Sequence, residues 1–297
     1  MPLVKTITLR RKLPDEDLVL AEGQIDLWVE HLDDASHLGA AAHNLLSPEE
    51  FARASRFICD KHRRRYIALR IMQRRILSHY ARIRPERLEF GRGRYGKPFL
   101  IQRCNNAPLH FSISRNSGVA LLAITGIGEI GVDIEKILDL HDRDAIAERF
   151  FSPRERDVYD SLPFDAKNTA FFRCWTRKEA LLKAMGAGLM TPPEKVDVRL
   201  DRGPSSSGSI AVRDPETETR WILQDIEVVD GFASALALRN GPVDPFVRIR
   251  NAVEGNRISS STDCGRSRSQ AQRITSVYAA TGRAVSVDPR EKGGKCR

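Results

Sequence analysis

Long apolar runs are missing from this chain of 297 residues. A membrane-spanning helix needs about 20 consecutive apolar residues. The longest candidate, 118–130, is broken by Thr125, Gly126, Gly128 and Glu129, so no span is expected. The opening stretch MPLVKTITLRRKLPDED has no apolar h-region, which argues against a secretory signal. Cysteine is scarce: Cys59, Cys104, Cys174, Cys264 and Cys296 are odd in number, irregularly spaced and without C-x-x-C. That pattern predicts neither a disulfide framework nor a zinc site, and it fits a reducing cytoplasm. The 7 histidines include no H-E-x-x-H, so a histidine metal site is not expected. No Ser/His/Asp arrangement, G-x-S-x-G or RNP motif is legible.

What is present is ordinary for a globular chain: 41% hydrophobic and 29% charged residues. The length corresponds to about two domains or one large bilobed one. It also suffices to bury about three-quarters of the unfolded surface. The net charge of +9 is unevenly placed. From Arg248 onward eleven Lys/Arg stand against four Asp/Glu, a balance of +7. The basic character therefore belongs mostly to the C-terminal stretch, where it would attract polyanions non-specifically. The nearly neutral remainder weakens a nucleic-acid reading of the whole.

The pattern along the chain predicts two halves with the same plan. Residues 24–30 alternate, with Ile25, Leu27 and Val29 against a wetter Asp26, Trp28 and Glu30, and read as a strand. Ser47-Pro48-Glu49-Glu50 is a capping box and opens helical sequence running to about residue 83. Strands are expected over 109–114, 118–125 and 129–136. Ser152-Pro153-Arg154-Glu155 is a second capping box, preceded by Phe150-Phe151 as the first is by Leu45-Leu46. A long helix over about 165–186 follows, then strands at 195–200, 209–212, 220–229 and 232–239. This order predicts an α+β fold of two similar α/β subdomains, 1–125 and 126–247. Residues 248–297, rich in Ser, Arg, Gly and Thr, are expected to be a basic disordered tail.

Four segments carry chemistry. In Gly131-Val132-Asp133-Ile134-Glu135, a strand would put Asp133 and Glu135 on one face. Side-by-side carboxylates suit a hard cation such as Mg²⁺ or Mn²⁺, or else form an acidic strand end. In Phe171–Ala184, Trp175, Glu179 and Lys183 recur at helical spacing along one face, which could equally be an ordinary amphipathic helix with a Glu–Lys pair. Gly91-Arg92-Gly93-Arg94-Tyr95-Gly96-Lys97-Pro98 is a basic turn that could wrap phosphate. Phe111-Ser112-Ile113-Ser114-Arg115-Asn116-Ser117 ends a strand in hydroxyls and an arginine.

Taken in this order, Tyr95-Gly96-Lys97-Pro98, His110-Phe111-Ser112-Ile113-Ser114, Ile130–Glu135 and Trp175-Thr176-Arg177-Lys178-Glu179-Ala180 resemble the Sfp-type 4′-phosphopantetheinyl transferases. The likeness runs from about Ser47 to Leu200. It implies a pseudo-twofold α/β fold and Mg²⁺-dependent transfer of the phosphopantetheine arm of coenzyme A to a serine of an apo acyl or peptidyl carrier protein, with release of 3′,5′-ADP. It further implies that Asp133, Glu135 and Glu179 hold the metal, Mg²⁺ or Mn²⁺. Lys183 would stabilise the leaving phosphate; a neutral hydroxyl nucleophile also needs a base, for which Glu179, directly or through a metal-bound water, is the candidate. Arg53, Arg65, Arg92, Gly96, Lys97, Pro98, Ser114, Arg115 and Asp133 would bind the coenzyme. Arg115 stands where many members carry His, and Asn116 departs from the commonest local pattern. The duplicated halves predict a monomer, with no membrane or specific nucleic-acid partner. Competing expectations are a coenzyme-A-binding homologue without turnover and a nucleic-acid binder acting through the basic tail.

Overall fold

A computed structural model of the chain describes residues 5–6, 18–34, 44–102, 108–186, 191–202, 209–214, 217–240 and 246–251. In chain order the elements are β1 (Lys5–Thr6), β2 (Gln24–His31), α1 (Pro48–Ser55), α2 (Asp60–Ala81), β3 (Phe90–Arg92), β4 (Pro98–Leu100), β5 (His110–Asn116), β6 (Val119–Thr125) and β7 (Ile130–Lys136). There follow α3 (Arg143–Phe150), α4 (Pro153–Asp160), α5 (Phe164–Met185), β8 (Ile210–Arg213), β9 (Arg220–Asp225), β10 (Phe232–Arg239) and β11 (Phe246–Asn251). The mixed α/β class expected from the sequence is the one observed.

One sheet has the order β1-β11-β2-β6-β5 and a second the order β7-β10-β9-β8. Ile25, Leu27 and Val29 of β2 and Leu121 of β6 share a core with Val132 and Ile134 of β7 and Leu236 of β10. The sheets thus enclose one apolar layer. The outer face of the first sheet packs against Leu69, Met72, Ile76 and Leu77 of α2. The outer face of the second packs against Phe171, Trp175 and Leu181 of α5. The result is a helix–sheet–sheet–helix stack.

Both expected capping boxes form. Ser47 Oγ accepts from the Glu50 N–H at 3.3 Å, and Glu50 Oε2 accepts from the Ser47 N–H at 2.9 Å. Ser152 and Glu155 make the same exchange at 3.3 and 2.7 Å. Each box glutamate then takes a cation from the long helix that follows. Arg74 Nε donates to Glu50 at 2.8 Å, and its Nη1 reaches the carbonyls of Pro85 and Leu88, both at 2.9 Å. Lys178 Nζ lies 2.6 Å from Glu155 and donates to the carbonyls of Pro193 and Val196 at 2.8 and 2.6 Å. In both places the carbonyls belong to a short 3₁₀ turn opened by proline, Pro85–Arg87 and Pro193–Lys195, and to the residue just beyond it.

Three expectations are corrected. Residues 195–200 form no strand. Val196, Val198 and Leu200 are buried in alternation, but no strand pairs with them: the Val196 N–H turns back to the Pro193 carbonyl at 3.2 Å, and side chains meet much of the rest. Glu155 accepts from the Val198 N–H at 2.7 Å, while Lys178 and Arg177 take the Val196, Val198 and Arg199 carbonyls. The second correction is that the face of β2 read as wetter is covered by α2. Asp26 is fully buried there and accepts from the Tyr80 hydroxyl and the Gln24 amide. Third, the folded region passes the expected boundary at 247. β11 runs to Asn251 and lies between β1 and β2, parallel to both, with Val247 and Ile249 in the inter-sheet core. The remainder of the tail lies outside the described residues.

Burial of the polar face of β2 has a measurable consequence. Glu30 is 7% exposed, and its Oε1 has no hydrogen-bond partner. Burial first, and the nearby Asp34 second, push its carboxyl up to about 7 against the pull of Arg75. The folded state therefore holds the Glu30 proton more tightly than the unfolded chain, where this carboxyl titrates near 4.5. The stability tied to that proton is complete below the unfolded value and is lost as pH rises through about 7. Glu30→Gln should match wild type near pH 4.5 and be the more stable protein near pH 8, by up to about 3 kcal/mol. Denaturant midpoints of the two proteins across that range check it.

Candidate active site

The site is built where α5 crosses the outer face of β7. Gly131, Asp133 and Glu135 share that face by strand alternation. Gly131 lets the helix backbone come close: a β-carbon there would lie 1.9 Å from the Ala180 carbonyl oxygen. The same approach brings Lys183, one turn of α5 beyond Glu179, against β7. Lys183 Nζ donates to Asp133 Oδ1 at 2.6 Å, to Ser114 Oγ at 2.9 Å and to the Val132 carbonyl at 3.3 Å. Burial pulls the lysine pKa down, but Asp133, Glu179 and Glu135 outweigh it and hold the ammonium above its ordinary value. Lys183 thus sits among the three acids singled out from sequence.

β5 supplies the other wall. It is the edge strand of its sheet, as β7 is of the other. Ser112, Ser114 and Asn116 alternate onto the side facing β7. Ser112 Oγ accepts from the Val132 N–H at 3.1 Å, and Ser114 Oγ donates to Asp133 Oδ1 at 2.8 Å. The Asn116 amide donates to Glu135. Side chains thus bridge the two sheet edges, and they end on the acidic residues. Arg115 lies on the opposite face of β5 from Ser114, with Phe111 and Ile113.

The basic hairpin reaches the far end of α5. Gly96, at φ +87°, makes the tight turn between β3 and β4. Arg92 at the end of β3 pairs with Pro98 at the start of β4. Lys97 donates to Glu129 and, at 3.1 Å, to the Ala184 carbonyl. His110 Nδ1 stands 3.2 Å from the other Glu129 oxygen. His110 most strongly, and Lys97 with it, hold the Glu129 carboxyl down at about 2, against the opposing effect of burial. The remaining predicted contacts sit on the first half. Arg53 and Arg70 lie over the Tyr66 ring, 5.8 and 5.4 Å from its centroid. Arg65 makes a bidentate pair with Asp33 at 2.6 and 2.5 Å.

The structure therefore brings together Ser114, Asp133, Glu135, Glu179 and Lys183. It sets Lys97 at the end of the same helix and gives Arg53 and Arg65 partners of their own. Sequence reading missed Gly131, Glu129, His110 and Asn116 as parts of the site. The signal for two of them was there: Gly131 precedes Asp133 by two residues, and Asn116 follows Ser114 by two.

The donor set suits a hard divalent cation in kind. Asp133 is 3% exposed, and its Oδ2 is buried without a hydrogen-bond partner. Such an orphaned carboxylate oxygen is costly unless a cation or donor meets it, and all-oxygen donors are what Mg²⁺ and Mn²⁺ take. Among the described residues no three His, Cys, Asp or Glu side chains converge closely enough to hold an ion as they stand. The Lys183 ammonium and the Asn116 amide occupy carboxylate oxygens instead.

Two family models match the chain. One, described as the 4′-phosphopantetheinyl transferase superfamily, covers residues 129–237. The other, the 4′-phosphopantetheinyl transferase N-terminal region, covers residues 35–126. The chain is 34% identical over 222 residues to the 4′-phosphopantetheinyl transferase HetI of Nostoc sp., covering 75% of this chain and 90% of that one. It is 26% identical to the 4′-phosphopantetheinyl transferase Sfp of Bacillus subtilis, over 65% of this chain and 82% of that one. It is 28% identical to an L-aminoadipate-semialdehyde dehydrogenase-phosphopantetheinyl transferase of Xenopus laevis, over 67% and 69%. With both halves matched and three-quarters of this chain aligned to a relative that is itself covered to 90%, the chain belongs to the 4′-phosphopantetheinyl transferase superfamily and is an enzyme of that class.

Proposed function

We propose that this enzyme transfers the 4′-phosphopantetheine arm of coenzyme A to a serine hydroxyl of an apo acyl or peptidyl carrier protein. The observation that carries the reading is the Lys183–Asp133–Ser114 cluster, with Glu135 and Glu179 beside it. It lies in a chain whose relatives are named for this transfer. Asp133, Glu135 and Glu179 would hold Mg²⁺ or Mn²⁺, which would neutralise charge on the pyrophosphate of the coenzyme. The orphaned Asp133 oxygen supports that assignment.

The residues of the chain then divide the work. The serine oxygen forms a bond to the phosphorus that carries the pantetheine arm. The bond from that phosphorus to the nucleotide breaks, and 3′,5′-ADP leaves with the electron pair. Glu179 accepts the hydroxyl proton. Lys183, kept protonated by its acidic neighbours, offers positive charge to the departing phosphate. Lys97, Arg92 and the Gly96–Pro98 turn would face the nucleotide phosphates, with Arg53, Arg65, Ser114 and Arg115. For Lys97 this means exchanging the Glu129 carboxylate for a ligand oxygen. Arg115, on the face of β5 opposite Ser114, would have to approach such a site from the other side of the strand.

The recurrence of capping box, buried cation and proline turn supports reading the two halves as similar subdomains related by a pseudo-twofold. By the same register Glu30 and Arg75 of the first half stand where Glu135 and Glu179 stand in the second. Arg75 stands there in place of one acid and Trp28 in place of Asp133, so among the described residues the first half offers no matching acidic cluster. A cluster completed within one chain supports a monomeric enzyme. Among the described residues no helix is long and apolar enough to cross a membrane, and a cytoplasmic location goes with the coenzyme A substrate of this reading.

The test is intact mass of a panel of apo carrier proteins after incubation with the purified enzyme, coenzyme A and Mg²⁺. At least one carrier should gain one phosphopantetheine, and EDTA should abolish the gain. No gain on any carrier, with coenzyme A binding retained, would overturn transfer. A gain unchanged by EDTA would overturn the metal.

A further inference from the structure

We propose that Asn116 is a positioning residue for the Glu135 carboxylate, a role that rests on the metal reading of Asp133, Glu135 and Glu179. Asn116 is 6% exposed at the end of β5, and both ends of its amide are engaged. Its Oδ1 accepts from the backbone N–H of Lys136 at 3.3 Å and from the Ser117 hydroxyl at 2.8 Å. A backbone N–H can only donate, so this bond fixes which end of the amide is oxygen. The NH₂ end is thereby turned to Glu135 Oε2, to which it donates.

The clamp is bidentate across one residue of β7. It holds the side chain of Glu135 and the backbone of the next residue together. It is also part of a series. Ser112 anchors the Val132 backbone and Ser114 holds Asp133, so each acid on β7 is met by a side chain two residues further along β5. The half of the chain without the acids thus sets the directions of the acids in the other half. Partners of this kind orient a ligand and tune its basicity, and their loss weakens metal affinity or activity by about 10–100-fold.

Asn116→Asp separates positioning from strand bridging. It keeps an oxygen for the Lys136 N–H but sets a carboxylate against Glu135. Asn116→Ala removes both arms of the clamp and the acceptor of the Ser117 hydroxyl. The probe is Mn²⁺ bound by the full-length protein with coenzyme A and without any carrier, read from the paramagnetic resonance signal of free Mn²⁺. Thermal melts report folding. Both variants should weaken Mn²⁺ binding about ten-fold or more. In a Glu135→Gln background neither should weaken it further.

Folded variants that bind Mn²⁺ as wild type does would overturn the role of Asn116 alone. Equal weakening in the Glu135→Gln background would overturn it too, since Asn116 would then act independently of Glu135. If Asn116→Asp does not fold, Asn116→Ala carries the measurement. If neither folds, the residue is structural and the role is lost. A wild-type protein that binds coenzyme A but no Mn²⁺ would overturn the metal reading and this role with it.

Discussion

Lys178→Met should destabilise the protein by about 3–5 kcal/mol, the cost of breaking a buried ion pair from one side. Lys178 is 2% exposed and Glu155 fully buried. The ammonium has three donors, and three acceptors meet it: the Glu155 carboxylate and the carbonyls of Pro193 and Val196. Methionine fills most of the volume and satisfies none of the three. Glu155 keeps the N–H groups of Ser152 and Val198 but loses its countercharge in a low-dielectric interior. Each kcal/mol corresponds to roughly 2–4 °C in Tm for a domain of 150–250 residues, so a fall of about 10 °C is expected. Adding Glu155→Gln removes the stranded charge and should restore part of the loss, a coupling readable in a double-mutant cycle. A single variant within about 1 kcal/mol of wild type would show that the pair is not the tie described here.

This pair also shows how far the sequence could be read. Both capping boxes were legible because a helix start is a local event, with Ser, Pro and Glu each acting within one turn. The two long helices and the strand of Asp133 and Glu135 were legible from periodicity for the same reason. The onward reach of the box glutamate was not. That Glu155 passes through its own box to Lys178 and to the Val198 N–H depends on packing between distant segments. It is why the alternating 195–200 looks like a strand and is none: side chains of α5 and α4, rather than a neighbouring strand, meet much of its backbone. β2 failed in the opposite sense. Its polar alternation implies solvent, but Tyr80 from α2 supplies a donor to Asp26, and the polar face goes inside. β11 was hidden because its six residues lie in basic sequence and find partners only in the first half of the chain.

Within the site, the acids and Lys183 were visible as residues, but their mutual placement was not. The stretch Arg177-Lys178-Glu179 is divided by structure. Arg177 pairs with Asp225 at 2.7 and 2.6 Å and holds carbonyls of the segment after the proline turn. Lys178 holds Glu155, and Glu179 belongs to the site. Successive helical residues point about 100° apart, so three adjacent charges serve three neighbours. A motif of this kind reads as one chemical unit in sequence, whereas most of its charge is spent on locking the helix in place.

Gly131→Ala should lower the transfer rate by about 100-fold or more while the protein stays folded. The β-carbon would lie 1.9 Å from the Ala180 carbonyl oxygen and 2.5 Å from the Ala184 nitrogen. Both are backbone atoms inside a 22-residue helix, so neither can turn aside alone. Relief requires α5 to lift from β7 by more than about 1 Å, since ordinary carbon contacts lie near 3.5–4.0 Å. Glu179 and Lys183 ride on that helix, whereas Asp133 and Glu135 stay on the strand. A misplacement of about 1 Å between catalytic groups costs about 10²-fold. Overpacking at one core position costs about 1–3 kcal/mol, which a core this size tolerates. The expected signature is therefore a large fall in kcat with a modest fall in Tm. By register Asp26 of β2 occupies the matching place in the first half, and there the Tyr80 hydroxyl reaches the strand residue in place of direct backbone contact. Gly131→Ala would push the second half toward that wider spacing, in which a lysine can no longer reach Asp133 and Ser114 together. Wild-type kcat in this variant would show that the close seating of α5 on β7 does not set the geometry of the acids and Lys183.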